Sequence, residues 1–194
     1  MRSRRPGSTG FSLVELVVAL GLGLALAVTA VAASATALHH LVRFALRSET
    51  DDIAYLATEA FALDVRRAGF DPRAAGVEPV VEASATRLGL AADLDGDGMV
   101  DGASEERTTI ACDVPGGRLS RIVGAQSLPL ANGVVACVLS YADATGAGLA
   151  VPPGGLDATA RSRVRRATLD VAITPPGAAT PTVARVSTAL RVAP

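Results

Sequence analysis

The chain lacks lysine and tryptophan altogether, has only 3% aromatic residues, and carries two cysteines. Without lysine it has neither a Schiff-base former nor the phosphate-gripping lysine of a P-loop. With so few aromatics, the core must be built from Ala, Val, Leu and Ile. Each of these buries less area than Phe or Trp, so the globular part holds together by a small margin. Net charge is also missing: 18 basic groups, all arginine, face 19 acidic ones for a balance of −1. That excludes a general electrostatic affinity for nucleic acid. There is no nucleophile elbow, no glycine-rich phosphate loop, no HExxH and no internal repeat, so no catalytic set is expected. Cys112 and Cys137 lie too far apart for a CxxC redox pair and are too few for a four-ligand zinc site. In an exported domain they form one disulfide; otherwise they are two buried thiols acting as small hydrophobes.

What the chain does have is apolar content, 49% of its 194 residues, and that content is unevenly spread. From residue 11 to residue 33 the only ionisable side chain is Glu15. Arg2, Arg4 and Arg5 precede this run in a short polar leader, residues 1–10. As a helix rising about 1.5 Å per residue, the run crosses a hydrocarbon layer of about 30 Å. Basic residues just before it hold the N-terminus in the cytoplasm and send the rest of the chain outside. The apolar region of a secretory signal is shorter, about 7–15 residues. Ala33-Ser34-Ala35 nevertheless suits a signal peptidase, which leaves that alternative open. A carboxylate within a membrane-spanning helix costs on the order of 2–3 kcal/mol, so Glu15 needs a partner or a purpose.

The run Gly10-Phe11-Ser12-Leu13-Val14-Glu15-Leu16 resembles the N-terminal signature of type IV prepilins and type II secretion pseudopilins. The resemblance implies cleavage by a prepilin peptidase after Gly10, N-methylation of the new first residue Phe11, and a role for Glu15 in subunit assembly. In a helical stack the Glu15 carboxylate of one subunit can meet the N-terminal amine of a neighbour. The stretch ending Arg66-Arg67-Ala68-Gly69-Phe70 also resembles the end of the long helix in PilW-type minor pilins. The family implies a structural subunit of a pilus-like or secretion filament, and as partners other pilins, the peptidase, an inner-membrane assembly platform and membrane lipid. It implies residence in a bacterial inner membrane, with the C-terminal domain in the periplasm or outside. The reading from another class is a single-pass, signal-anchored, extracytoplasmic calcium-binding protein that does not polymerise.

Past the apolar run the helical period continues. Leu38, Leu41, Val42, Ala45, Ile53, Leu56, Ala60 and Leu63 recur at spacings of three or four, and no Pro or Gly falls between Gly23 and Gly69. Gly69 and Pro72 then stop the helix. The expected organisation is a leader at 1–10, a membrane or filament-core helix at 11–35, its amphipathic second half at 36–69, and a β-rich domain at 70–194.

Beyond residue 75 the period changes to two. Strands are expected at 86–92, 109–114, 133–141, 167–174 and 182–192, with Val135, Cys137, Leu139 and Tyr141 on one buried face. The last two form a hairpin about the Pro/Gly-rich segment 175–181. Residues 146–160 read as a flexible surface loop, followed by Arg161, Arg163 and Arg165 alternating along a strand edge. A long helix packed on antiparallel strands is an α+β, pilin-like fold.

One segment is site-like. Asp93-Leu-Asp-Gly-Asp-Gly-Met-Val-Asp-Gly102 spaces Asp93, Asp95, Asp97, the Met99 carbonyl and Asp101 like the first half of an EF-hand calcium loop. Its twelfth position is Ser104 instead of Glu, so calcium requires closure by a later residue such as Glu105 or Glu106. The competing reading is an acidic turn between two strands. His39 and His40 read as surface residues and not as ligands.

Overall fold

The structure, a computed structural model, describes residues 12–174 and 180–191; Gly10, Phe11 and most of the 175–181 connection lie outside the described residues. The chain divides into two compact units, residues 1–45 and 46–194. One helix, α1 (Leu13–Arg67), accounts for 55 residues. Its stretch within the first unit is exposed on every side, and it is long and apolar enough to cross a membrane.

In the second unit α1 ends as expected. Gly69 adopts φ +75, a left-handed conformation that only glycine reaches without strain. Its N–H leaves the helix pattern and donates to the Ala91 carbonyl at 2.8 Å. The buried face of α1 differs from the expected one. The inward stripe is Thr50, Ala54, Ala57, Phe61, Asp64, Val65 and Ala68, whereas Leu56 is 64% and Leu63 46% exposed. The stripe is displaced by one residue, about 100° around the axis. Three alanines on the inward face allow a close approach to the sheets, and larger leucines there would hold them apart.

Among the described residues, nine strands follow in two antiparallel sheets, so the architecture is α+β. The first sheet comprises β1 (Val80–Ala83), β2 (Arg87–Ala91), β3 (Arg107–Asp113), β4 (Arg118–Val123) and β5 (Gln126–Asn132), in that spatial order. The second contains β6 (Val134–Ala142), β7 (Gly148–Leu149), β8 (Arg166–Ile173) and β9 (Thr182–Ala189), ordered β7-β6-β8-β9. A short helix, α2 (Ala158–Arg161), lies between β7 and β8 in the chain. Leu88, Ile110 and Leu119 from the first sheet, Leu139, Leu169 and Val171 from the second, and Phe61 of α1 share one core.

The alternating strands β2, β3, β6, β8 and β9 stand where the period of two places them. β4 and β5 are not legible in that way. They turn through Gly124 (φ +56) in a two-residue loop, with Val123 opposite Gln126. β5 contains Pro129, which lacks an N–H, and it sits at the sheet edge where that loss is tolerated. A register shift between Val134 and Ala136 turns Val134 inward and leaves Val135 half-exposed, so Val135 does not join the face of Cys137, Leu139 and Tyr141.

The segment 146–160 is more ordered in its contacts than a free loop. The Leu156 side chain is buried and its N–H donates to the Ala83 carbonyl at 2.7 Å. The arginines after it do not alternate on a strand. Arg161 closes α2 and donates to the Val80 and Leu156 carbonyls, while Arg163 pairs with Asp143 and Arg165 donates to the Ser162 carbonyl. Only Arg166 belongs to a strand, as the first residue of β8.

Candidate functional site

The acidic segment forms the connection between β2 and β3, two antiparallel neighbours, and is therefore not flanked by helices. It is held against the turn that follows α1. Asp93 N–H donates to the Phe70 carbonyl at 2.8 Å, and Arg73 reaches the Asp97 carbonyl at 3.0 Å.

Two buried carboxylates organise the loop from within. Asp93 accepts from the N–H groups of Gly96 (2.8 Å), Asp97 (3.1 Å) and Gly98 (3.0 Å). Glu106 accepts from Leu94 (2.8 Å), Asp95 (3.2 Å) and Asp101 (2.8 Å). Gly96 and Gly98, at φ +77 and +88, let the chain curl round Asp93 so that its amides converge. The Asp101, Asp95 and Leu94 N–H dipoles hold the Glu106 carboxyl below its ordinary range.

One oxygen from each of Asp93, Asp95 and Glu106 lies within 4.8 Å of the others, a triad able to hold a metal ion. This differs from the expected ladder. Asp97 and Asp101 stand outside the triad, Asp97 accepting from the Met99 N–H at 2.7 Å and Asp101 from the Ala103 N–H at 2.9 Å. Glu106, two positions beyond Ser104, closes the cluster. It stands immediately before β3, where its carbonyl accepts from the Ala92 N–H at 2.9 Å as the β2–β3 pairing brings the chain back. It is one of the two glutamates expected to close the loop; the other, Glu105, stays exposed and outside the cluster.

The unused acceptor capacity limits the site. A carboxylate offers roughly four lone-pair positions. Asp93 and Glu106 each spend three on amides, whereas Asp95 spends one, on Asp97 N–H at 3.0 Å. A hard dication needs about six to eight oxygens, so solvent would complete its shell.

Two further carboxylates cap turns in the same manner. Asp71 receives the N–H groups of Ala75, Gly76 and Val77, and Asp143 those of Thr145 and Ala147. Backbone donors, with the Thr145 hydroxyl first for Asp143, hold both carboxyls below the usual range. A lowered folded-state pKa contributes stability that is complete above the unfolded value and is lost as pH falls through the folded one. The thermal midpoint is therefore expected to be level between neutrality and about pH 5, and to drop below about pH 4. A scan of midpoint against pH that stays level into that acid range would show the caps to be energetically idle.

Elsewhere, Glu15 lies exposed in the first turn of α1. Cys112 of β3 and Cys137 of β6 form a disulfide, Cα–Cα 5.8 Å, joining the two sheets. A groove of about 460 Å³, lined by Leu46, Thr50, Ile53, Leu130 and Ile173 among others, holds Glu49 as its one titratable group.

No protein-family model matches this chain, and no curated protein matches it. Fold and site define its class: an α+β chain with one helix able to cross a membrane and a disulfide-joined two-sheet domain bearing an acidic triad.

Proposed function

We propose that the chain is a minor pilin or pseudopilin, a structural subunit cut after Gly10 and built into a pilus-like filament from the inner membrane. The observation that carries this reading is α1 itself. One unbroken helix is apolar and exposed in its first half, with Glu15 as its single early charge, and supplies a core stripe to a β-rich domain in its second. A helix exposing that much apolar surface needs lipid or other helices around it. Glu15 then has a purpose, as the counter-charge to the amine of a neighbouring subunit's Phe11.

The test is made on membranes and sheared filaments of cells expressing a prepilin peptidase. Mass spectrometry is expected to find the mature chain starting at a methylated Phe11. Glu15→Ala is expected to be cleaved normally but depleted in filaments by roughly tenfold or more, because a neighbour's buried amine loses its partner. An intact Met1, a start near Ala35, or full incorporation of Glu15→Ala would each sink the proposal.

The triad favours a second property, calcium binding, which also suits an anchored protein that does not polymerise. At a cation concentration about tenfold above Kd, binding stabilises the fold by about 1.4 kcal/mol. Extracellular calcium sites commonly have Kd near 10⁻⁴–10⁻³ M, so millimolar calcium is the relevant range. The full chain in detergent is expected to melt higher in millimolar calcium than in EDTA. Asp95→Asn removes the ligand with the most free acceptor capacity; it is expected to abolish the gain at a cost of less than about 0.5 kcal/mol in EDTA. Identical melting of the wild type in both solutions would leave the loop as a turn only.

A further inference from the structure

We infer that β9 is a docking edge, on which an extended segment of another polypeptide adds as a further strand of the second sheet. The two sheets have four edges, and three of them are blunted. β1 is four residues long, has a register shift between Val80 and Glu82, and gives its Val80 carbonyl to Arg161 Nε at 3.3 Å. β5 carries Pro129 and a register shift against β4. β7 is two residues long. β9 has none of these devices. It runs for eight residues without Pro or Gly, in unbroken register with β8 from Arg166↔Ala189 to Ile173↔Thr182. Among the described residues β8 is its one strand partner.

In an antiparallel strand, alternate residues aim their N–H and C=O groups at opposite neighbours, so about half of the β9 backbone groups face away from β8. A long, straight row of unpaired donors and acceptors is matched only by another extended backbone. No β9 side chain points a charge inward; the one carboxylate at this row, Asp51 of α1, meets only its first residue, accepting from the Thr182 hydroxyl at 3.0 Å. The core-facing row is Ala184, Val186 and Thr188, with Ala184 and Val186 half-covered at the rim of the core. The outer row is Val183, 72% exposed, then Arg185 and Ser187.

These rows specify the occupant. Its inward residues must be apolar, to cover Ala184 and Val186, and its outward residue opposite Arg185 must not be basic; an acidic one shares the exposed guanidinium with Asp170. β8 already solves this problem on the other side, where Asp170 stands opposite Arg185 at 3.3 Å and Leu169 opposite Val186. A second copy of β9 brings another arginine and no acid to that surface, so a different segment fits better. Strand addition here requires no cleavage at Gly10.

The probe is a synthetic peptide copying β8, Arg-Ala-Thr-Leu-Asp-Val-Ala-Ile, added to the full chain in detergent micelles. Amide hydrogen exchange is read residue by residue. In the chain alone, alternate β9 amides are expected to exchange fast, and the peptide is expected to slow those same amides by roughly tenfold or more. A peptide with arginine in place of its aspartate should protect less, and a scrambled one not at all. Ala184→Lys, which points a charge into the row that the peptide must cover, should remove the protection. Should that variant fail to fold, the wild-type measurement still decides. Uniformly slow exchange along β9 in the chain alone, or no slowing by the peptide, overturns the inference. Protection that grows with protein concentration and needs no peptide also overturns it, by assigning the edge to a second copy.

Discussion

Replacing Asp64 by alanine is expected to destabilise the domain by about 3–5 kcal/mol. Asp64 faces inward from the last turns of α1 and receives Arg121 of β4 through Nε at 2.7 Å and Nη2 at 3.1 Å. The two side chains are 6% and 15% exposed, so removing the carboxylate strands a guanidinium that water scarcely reaches. Glu105, 3.9 Å from Arg121 and itself exposed, is too distant and too solvated to take over. The control is Glu82→Ala. It breaks the Arg87–Glu82 pair at 2.8 Å, where both side chains are over 40% exposed, and is expected to cost no more than about 1 kcal/mol. Removing both charges, as Asp64→Leu with Arg121→Met, is expected to recover most of the loss. Denaturant midpoints of the four proteins check this. Equal losses for Asp64→Ala and Glu82→Ala would mean that the buried pair does not anchor α1 to the first sheet.

The second large effect is expected from the disulfide. Cys112 and Cys137 are 25 positions apart and enclose β4 and β5 entirely. Closing a loop of that length restricts the unfolded chain by an amount worth about 3.5 kcal/mol. For a domain of this size, each kcal/mol moves the midpoint by about 2–4 °C, so reduction or the double change to alanine is expected to lower Tm by about 7–14 °C. The effect should be larger than for a bond within one sheet, because few strand contacts other than β3 and β4 with β6 join the two sheets. Oxidised and reduced protein melting together would show that the bond is incidental to stability.

The apolar-cored, aromatic-poor domain makes both effects consequential. Its largest buried side chains are Tyr141, Phe61 and a handful of Leu, Ile and Val residues, so no single hydrophobic contact dominates. A buried ion pair and one covalent link then carry an unusual share of the specification of how α1, β3, β4 and β6 meet.

What the amino-acid order determines by itself is local. The extent of α1 follows from an uninterrupted 3.6-residue period and from Gly69, which stops it at a left-handed turn. The alternation in β2, β3, β6, β8 and β9 follows from a side-chain period of two, visible in any few consecutive residues. Glycines and aspartates in order are enough to mark the 93–102 segment as a tight acidic turn. Tertiary structure decided what depends on distant partners. Which stripe of α1 is buried depended on how closely the sheets could approach Ala54 and Ala57, and on the position of Arg121, which draws Asp64 inward. β4 and β5, with few alternating apolar residues and a proline, became strands because neighbours offered them hydrogen bonds. The composition of the acidic triad was decided in the same way. Asp97 and Asp101 each cap an amide two residues on and stand outside the cluster, and Glu106 takes a place beside Asp93 because β3 pairs back along β2. Periodicity is a property of one segment and can be read from it; burial and ligand grouping belong to pairs of segments far apart in the chain.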